Sequence, residues 1–171
     1  MLSFFLFSFL YVFLNCFTFL PKIVAQTGSV AATVTAQNVS LSVTDGVVAY
    51  GTLSVGSTKN TTLSDINDSQ IVSNSGNVIA NINIKGMNST STGIGWTLAS
   101  TPGANTYSHK FCITDCDSSP TWGPLSIGYT ELVASLAVGG STPPFDLQIY
   151  TPSSTTDYNT QTVNVTVQAV P

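Results

Sequence analysis

The sequence predicts an all-β chain, a single antiparallel β-sandwich with a jelly roll as the competing arrangement, preceded by an N-terminal hydrophobic segment. Three observations predict it. The chain carries 24 Thr and 22 Ser, no Arg, and few of the Glu, Lys and Leu residues that favour helices. The stretch Val78 to Lys85 alternates, with Val78, Ala80, Ile82 and Ile84 on one side and Asn81, Asn83 and Lys85 on the other; Ile79 is the exception. A period of two marks a half-buried strand. Turn chemistry then punctuates the chain at Asp45-Gly46, Asn74-Ser75-Gly76-Asn77, Pro102-Gly103 and Pro143-Pro144.

Residues 2–20 are almost wholly apolar, and small Ala25 follows Pro21, Lys22, Ile23 and Val24. This reads as a signal peptide ending near residue 25, or as an N-terminal membrane anchor, since the run approaches the ~20 residues that span a bilayer. Cys16 is an apolar leader residue in this reading. Residues 26–171 then form one domain of ordinary size, large enough to bury roughly two thirds of its unfolded surface. Either fate of the leader places that domain outside the cytoplasm, extracellular or at the cell surface.

The first strand of the domain is expected over Ser29 to Thr35, where Val30, Ala32 and Val34 alternate with Ala31, Thr33 and Thr35. Val39, Leu41 and Val43 form a second run. Beyond the Asp45-Gly46 turn, Val47 to Tyr50 resumes extended structure and continues through Leu53 toward a loop at Ser57 to Asn60. Ile71-Val72 is a short strand leading into the Asn74–Asn77 turn and the long strand after it. A Ser/Thr/Gly/Asn-rich loop fills residues 86–95, and Trp96 to Ala99 is a strand with the indole inward. Tyr107 to Ile113 places Tyr107, His109, Phe111 and Ile113 on one face. Residues 112–123 form a loop. Tyr129 to Val138 admits a helix, but its neighbours favour a strand. Phe145, Leu147 and Ile149, then Val163, Val165 and Val167, complete the series.

Charge excludes two classes of partner. Net charge is −4, and charged residues are 7% of the chain. Past the leader, three Lys face eight acids, which is too few cations to neutralise phosphates or to form a polybasic membrane patch. Nucleic acid is therefore not an expected partner, and contact with a membrane is expected only through residues 2–20 of an uncleaved leader.

Cys112 and Cys116 are the only cysteines after the leader, so in an exported chain they are expected to form a disulfide. The ring is short, closed over Ile113-Thr114-Asp115, and its chain-entropy contribution is about 2 kcal/mol. The C-x-x-x-C spacing is not the redox spacing, and one His cannot complete a zinc site. His109, the sole histidine, is expected to be a packing residue, and no G-x-S-x-G accompanies it. No catalytic residue and no cofactor are expected. Asp65, Asn67 and Asp68 resemble the start of a calcium loop but lack the Gly and Glu of an EF-hand, which leaves them weak calcium candidates. Trp122, between Pro120 and Pro124, is a ligand-contact candidate able to stack on a sugar, or a plug over the end of the sandwich. Asn38, Asn60, Asn67, Asn88 and Asn164 stand in N-x-Ser/Thr triplets.

The order Gly46-Val47-Val48-Ala49-Tyr50-Gly51-Thr52-Leu53, Ser73-Asn74-Ser75-Gly76-Asn77-Val78, Trp96-Thr97-Leu98 resembles immunoglobulin-like domains of prokaryotic secreted and surface proteins over residues 39–113. Tyr50 stands where that pattern has Phe. Trp96-Thr97-Leu98 is also similar to one element of the WxL wall-binding domain, whose second element is missing here. The resemblance implies an extracellular structural or adhesive module and supplies no functional residues. The expected function is thus a non-enzymatic structural or interaction protein of a prokaryotic envelope, with other envelope or extracellular proteins as partners. The alternatives are a fibre subunit joined to its own copies by strand addition through Thr27 to Ala36, and a carbohydrate-binding module.

Overall fold

The computed structural model describes residues 26–171, so the leader, its cleavage site and Cys16 lie outside the described residues. The chain divides into two units, residues 1–35 and residues 36–171. In the described part of the first unit, residues 26–35 have no regular secondary structure and every residue is exposed. Val30 and Val34 are 96% and 97% exposed. The strand expected over Ser29 to Thr35 is therefore not formed. Its alternation is that of a strand, but no described segment pairs with it.

The second unit is all-β, with no helix among the described residues. Ten strands follow in order: β1 (Leu41–Val43), β2 (Thr58–Asn60), β3 (Val72–Asn74), β4 (Ala80–Gly86), β5 (Thr97–Leu98), β6 (Thr106–Cys112), β7 (Gly123–Pro124), β8 (Thr130–Leu136), β9 (Asp146–Tyr150) and β10 (Val165–Val170). One sheet has the order β10-β4-β8, a second the order β2-β9-β6-β5 with β7 also on β6, and β1 pairs with β3 alone. The arrangement is consistent with a sandwich.

The strand that alternates best in sequence lies at the centre of its sheet. Strand β4 pairs antiparallel with β10, Ile84 opposite Val167 and Ile82 opposite Ala169, and on its other side with β8. Ala80, Ile82, Ile84 and Gly86 are buried while Asn81, Asn83 and Lys85 are half-buried. The exceptional Ile79 lies before the strand and is exposed. The two sheets share one core. Ile82 and Ile84 of β4 and Leu132 and Leu136 of β8 cluster with Tyr107 of β6, Leu147 and Ile149 of β9, Val72, Leu98, Leu125 and Phe145. Each such side chain contributes about 1.5–3 kcal/mol by leaving water.

Strand β8 resolves the helix-or-strand ambiguity of residues 129–138 in favour of a strand. Its pairing with β4 shifts register between Ala80 and Ile82 and again between Ile82 and Asn83. Ser135 has a φ of 51° and donates its N–H to Asn81 Oδ1 at 2.9 Å. This bulge turns Ala134 and Ser135 to solvent and returns Leu136 to the core.

Three further expectations are corrected. Strand β5 runs parallel to β6, so the second sheet is mixed and not purely antiparallel. The parallel pairing is two residues long, with Thr97 opposite Thr106 and Leu98 opposite Tyr107. The segment Val47 to Leu53 forms no ladder, although Val48, Tyr50 and Leu53 pack against the core. Thr58 to Asn60, expected as loop, is strand β2 because β9 offers it a free edge. The Thr61 hydroxyl then continues that contact, donating to Asp146 at 2.7 Å and accepting from the Leu147 N–H at 2.8 Å.

The Asn74–Asn77 turn is built around a buried side chain. Asn74, 2% exposed, donates from Nδ2 to the carbonyls of Val78 at 2.8 Å and Leu136 at 3.1 Å. Its Oδ1 accepts the Gly76 N–H at 3.0 Å. Gly76 is required by a close approach: a Cβ there would run into the backbone of Asn38 and Ser40. Asn77 completes the contact, accepting the Asn38 N–H at 2.7 Å and donating to the Ala36 carbonyl at 2.8 Å. The chain entering β1 is thus clamped to the β3–β4 turn.

Candidate functional site

The chemically distinctive groups of this chain lie between the sheets, around its single histidine. Strand β6 points Tyr107 and His109 into the core, and His109 is 1% exposed. Tyr50, carried by the ladderless segment before β2, places its hydroxyl 2.9 Å from His109 Nε2. Burial pushes the His109 pKa down to about 4, so the ring is neutral at pH 7. Burial, then the nearby Asp68, Tyr107 and Asp146, push the Tyr50 hydroxyl well above its ordinary value. Tyr50 is therefore the donor and Nε2 the acceptor, which leaves the ring proton on Nδ1. That nitrogen has no hydrogen-bond partner among the described residues. Among the described residues no carboxylate or serine hydroxyl is hydrogen-bonded to the ring.

Beside this pair lies a cavity of about 210 Å³. Val163, Val165 and Val167 of β10 and its approach form one wall, Val43 and Val48 another, and His109 belongs to its lining. Its lining is mostly apolar, with Tyr50, Gln70 and Asn164 as the polar exceptions.

A second, more open concavity of about 420 Å³ lies at the cysteine loop, bordered by Ile113, Asp115, Asp117, Pro143 and Asp146. Cys112 and Cys116 have their sulfurs at disulfide distance and their Cα atoms 5.8 Å apart, as the sequence predicted. Asp115 takes a φ of 52° and its carbonyl accepts the N–H groups of Ser118 at 3.1 Å and Ser119 at 2.8 Å. Asp117 accepts the Leu63 N–H at 2.6 Å. Asp146 Oδ1 accepts from the Thr61 hydroxyl at 2.7 Å and from the Ser69 hydroxyl at 2.8 Å. The bridge therefore organises a loop tip and not the inter-sheet core. Replacing both cysteines by Ser is expected to lower stability by only about 2 kcal/mol, read as the urea midpoint with and without reductant.

The calcium candidates do not share one centre. Asp65 accepts the Asn60 N–H at 2.8 Å and pairs with Lys59 at 3.1 Å, and these two partners hold its carboxyl below the usual range. Asp68 accepts from Gln70 Nε2 at 2.9 Å. Asn67 takes a φ of 50° in the turn between them. Among the described residues no group of three or more His, Cys, Asp or Glu is placed to hold a metal ion. Trp122 is half-buried and stands outside the packed core. The lysines of the described residues are all engaged, Lys59 with Asp65, Lys85 over the Tyr129 ring at 4.6 Å and Lys110 over the Tyr150 ring at 5.2 Å.

Sequence reading missed Asp157. Its carboxylate is buried and accepts from the Ser91 hydroxyl, from the Gly95 N–H at 2.9 Å and from Asn159, whose N–H lies at 3.1 Å. Its carbonyl accepts from Trp96 Nε1 at 3.3 Å. These bonds, led by that from Ser91, hold the carboxyl far below the ordinary carboxylate range. A folded-state pKa below the unfolded value means the stabilisation is complete above the ordinary carboxylate pKa of 3.8 and is lost as pH falls through the lower folded value. Asp157→Asn is accordingly expected to melt below wild type at pH 7, with the gap narrowing as the pH falls below about 4. A pH series of thermal melts checks it.

Comparison with protein-family models, with curated proteins and with solved structures finds no match to this chain.

Proposed function

We propose that the chain is a non-enzymatic extracellular or cell-surface protein of a prokaryotic envelope, a β-sandwich of immunoglobulin-like arrangement with a structural or interaction role. The observation that carries this reading is the state of its few reactive side chains. The single histidine is neutral, enclosed and bonded to a tyrosine, Asp146 Oδ1 accepts from two hydroxyls, and the Asp157 carboxylate accepts from hydroxyl and amide donors. Groups that would do acid–base chemistry in an enzyme here hold loops to a core. A cysteine pair at bonding distance in a small β-domain supports an oxidising compartment. The apolar leader supports export. The immunoglobulin-like part of the reading is supported by the order of the Asn74–Asn77 turn, the central strand β4 and the Trp96-Thr97-Leu98 strand.

The test is fractionation of cells expressing the full chain, with thiol labelling before and after reduction. The expected result is protein outside the cytoplasm whose Cys112 and Cys116 label only after reductant. Cytosolic protein with both thiols reactive overturns the reading.

A second reading, a fibre subunit joined by strand addition, is favoured by one specific observation. Residues 26–35 carry strand-like alternation with Val30 and Val34 almost fully exposed, which is costly for a segment with no use for that face.

A further inference from the structure

We propose that the cleft between β10 and the segment Val47–Tyr50 is an acceptor slot for one added β-strand, and that its occupant is residues 29–35 of a second copy of this chain. The inference rests on the reading of the chain as an extracellular β-sandwich and names the partner of that surface.

The slot is defined by missing hydrogen bonds on both of its sides. Strand β10 is the end of its sheet and pairs only with β4 among the described strands. Residues 45–55, across the cavity, make no backbone–backbone hydrogen bond with any described residue. Yet Val48, Tyr50 and Leu53 lie packed against the core, so the segment is held to the domain by these side chains. The Gly46 and Val47 N–H groups are taken by the side chains of Gln70 and Asp45, and from Val48 to Tyr50 the segment faces the cavity opposite a free sheet edge, the borders of a place for one more strand. Side chains agree. Ile82 and Ile84 of β4 are completely buried, whereas Val165, Val167 and Ala169, the residues of β10 on the same face, are only half covered. The cavity of about 210 Å³ lies against Val163, Val165 and Val167. Its lining includes His109, whose Nδ1 has no hydrogen-bond partner among the described residues.

The occupant follows from what the chain offers. Ser29 to Thr35 is seven residues long, against six in β10. It carries no charge, matching a slot whose lining carries none at pH 7. Val30, Ala32 and Val34 would meet the valine wall, and Ala31, Thr33 and Thr35 would face out. Addition of such a strand supplies main-chain bonds for affinity and alternate side chains for register. Val30 and Val34 are 96% and 97% exposed.

The test uses protein purified from cells expressing the full chain. Light scattering across a concentration series is compared with that of Val30→Asp/Val34→Asp, a variant altered only at exposed positions. A labelled peptide of residues 27–36 is then titrated into that variant, whose slot is intact. The expected results are masses rising to multiples of the protomer for wild type, a monomeric variant with unchanged melting temperature, and saturable peptide binding weakened about tenfold or more by Val167→Asp. Oligomers that persist in the tail variant overturn the proposal. So does a wild type that stays monomeric at every concentration, whether or not the peptide binds. A monomer still found outside the cell removes strand addition and leaves the envelope reading intact, whereas cytosolic protein with free thiols removes the envelope reading itself.

Discussion

Asn74→Ala is expected to lower the unfolding free energy by about 2–4 kcal/mol, since it takes a buried side-chain donor from two carbonyls at about 1–2 kcal/mol each. The carbonyls of Val78 and Leu136 lose this side-chain donor, while the Gly76 N–H keeps the Ser40 carbonyl at 3.1 Å. Asn74 is itself buried where β3, the start of β4 and the end of β8 meet. Asp at this position keeps the acceptor for Gly76 but turns oxygens toward the two carbonyls, so Asn74→Asp is expected to be no better. The control is Asn77→Ala, whose bonds to Ala36 and Asn38 are exposed; its loss is expected to be about 1 kcal/mol. Urea unfolding of the three variants at pH 7 measures these differences. Equal losses for Asn74→Ala and Asn77→Ala would show that the buried side chain does not hold the turn. A loss of this size removes a large share of the about 5–15 kcal/mol that a domain possesses.

The second large effect is a dependence of stability on mild acid through His109. Its folded pKa of about 4 lies below the ordinary 6.5 because burial disfavours the charged ring. The unfolded chain therefore takes up the proton first, and protonation favours unfolding. Stability is complete above about pH 6.5 and declines as pH falls toward 4, by about 3 kcal/mol over the whole window. The phenols close to this centre, Tyr50 and Tyr107, do not alter the sign: both are neutral throughout, their hydroxyls raised by burial. His109→Phe is expected to lose the Tyr50 hydrogen bond, costing about 1 kcal/mol at neutral pH, and to flatten the profile between pH 6.5 and 4.5. Chemical denaturation at half-unit pH steps distinguishes them. An unchanged slope in the variant would assign the acid sensitivity elsewhere. The Asp157 contribution falls in a separate window, below about pH 4.

What could be read in advance follows from what alternation reports. It reports which side chains face inward, and it located β4, β6, β9 and β10 well. It does not report pairing. Val47 to Leu53 shows the pattern and does face the core, yet no strand lies beside it. Ser29 to Thr35 shows the pattern and faces only water. Conversely, Thr58-Lys59-Asn60 has no apolar alternation and is a strand because β9 needed a neighbour. The cysteine pair was legible from count and compartment alone. The histidine's face was legible from its neighbours on β6, but its partner Tyr50 lies 59 residues away and carries no local signal. Asp157 was hidden for the same reason: its donors come from residues 91 and 95, in a stretch whose composition reads as solvated loop. In a chain with so few ions, the long-range polar contacts are made by hydroxyls and amides, which sequence pattern does not distinguish from surface decoration.

The clamp of residues 36–40 on the β3–β4 turn has a mechanical consequence. Any tension applied to the N-terminal tail enters the domain at Asn38 and Asn77 and passes along β1 into β3. The antiparallel pairing of Ser42 with Ser73, flanked by the bonds from Ser75 N–H to the Ser40 carbonyl and from Thr44 N–H to the Ile71 carbonyl, lies across that line, so these bonds are loaded together in shear and not opened one at a time. Gly76, by letting the two backbones touch, sets where the pull arrives. The tail can thus be tugged while the sheets behind it stay closed.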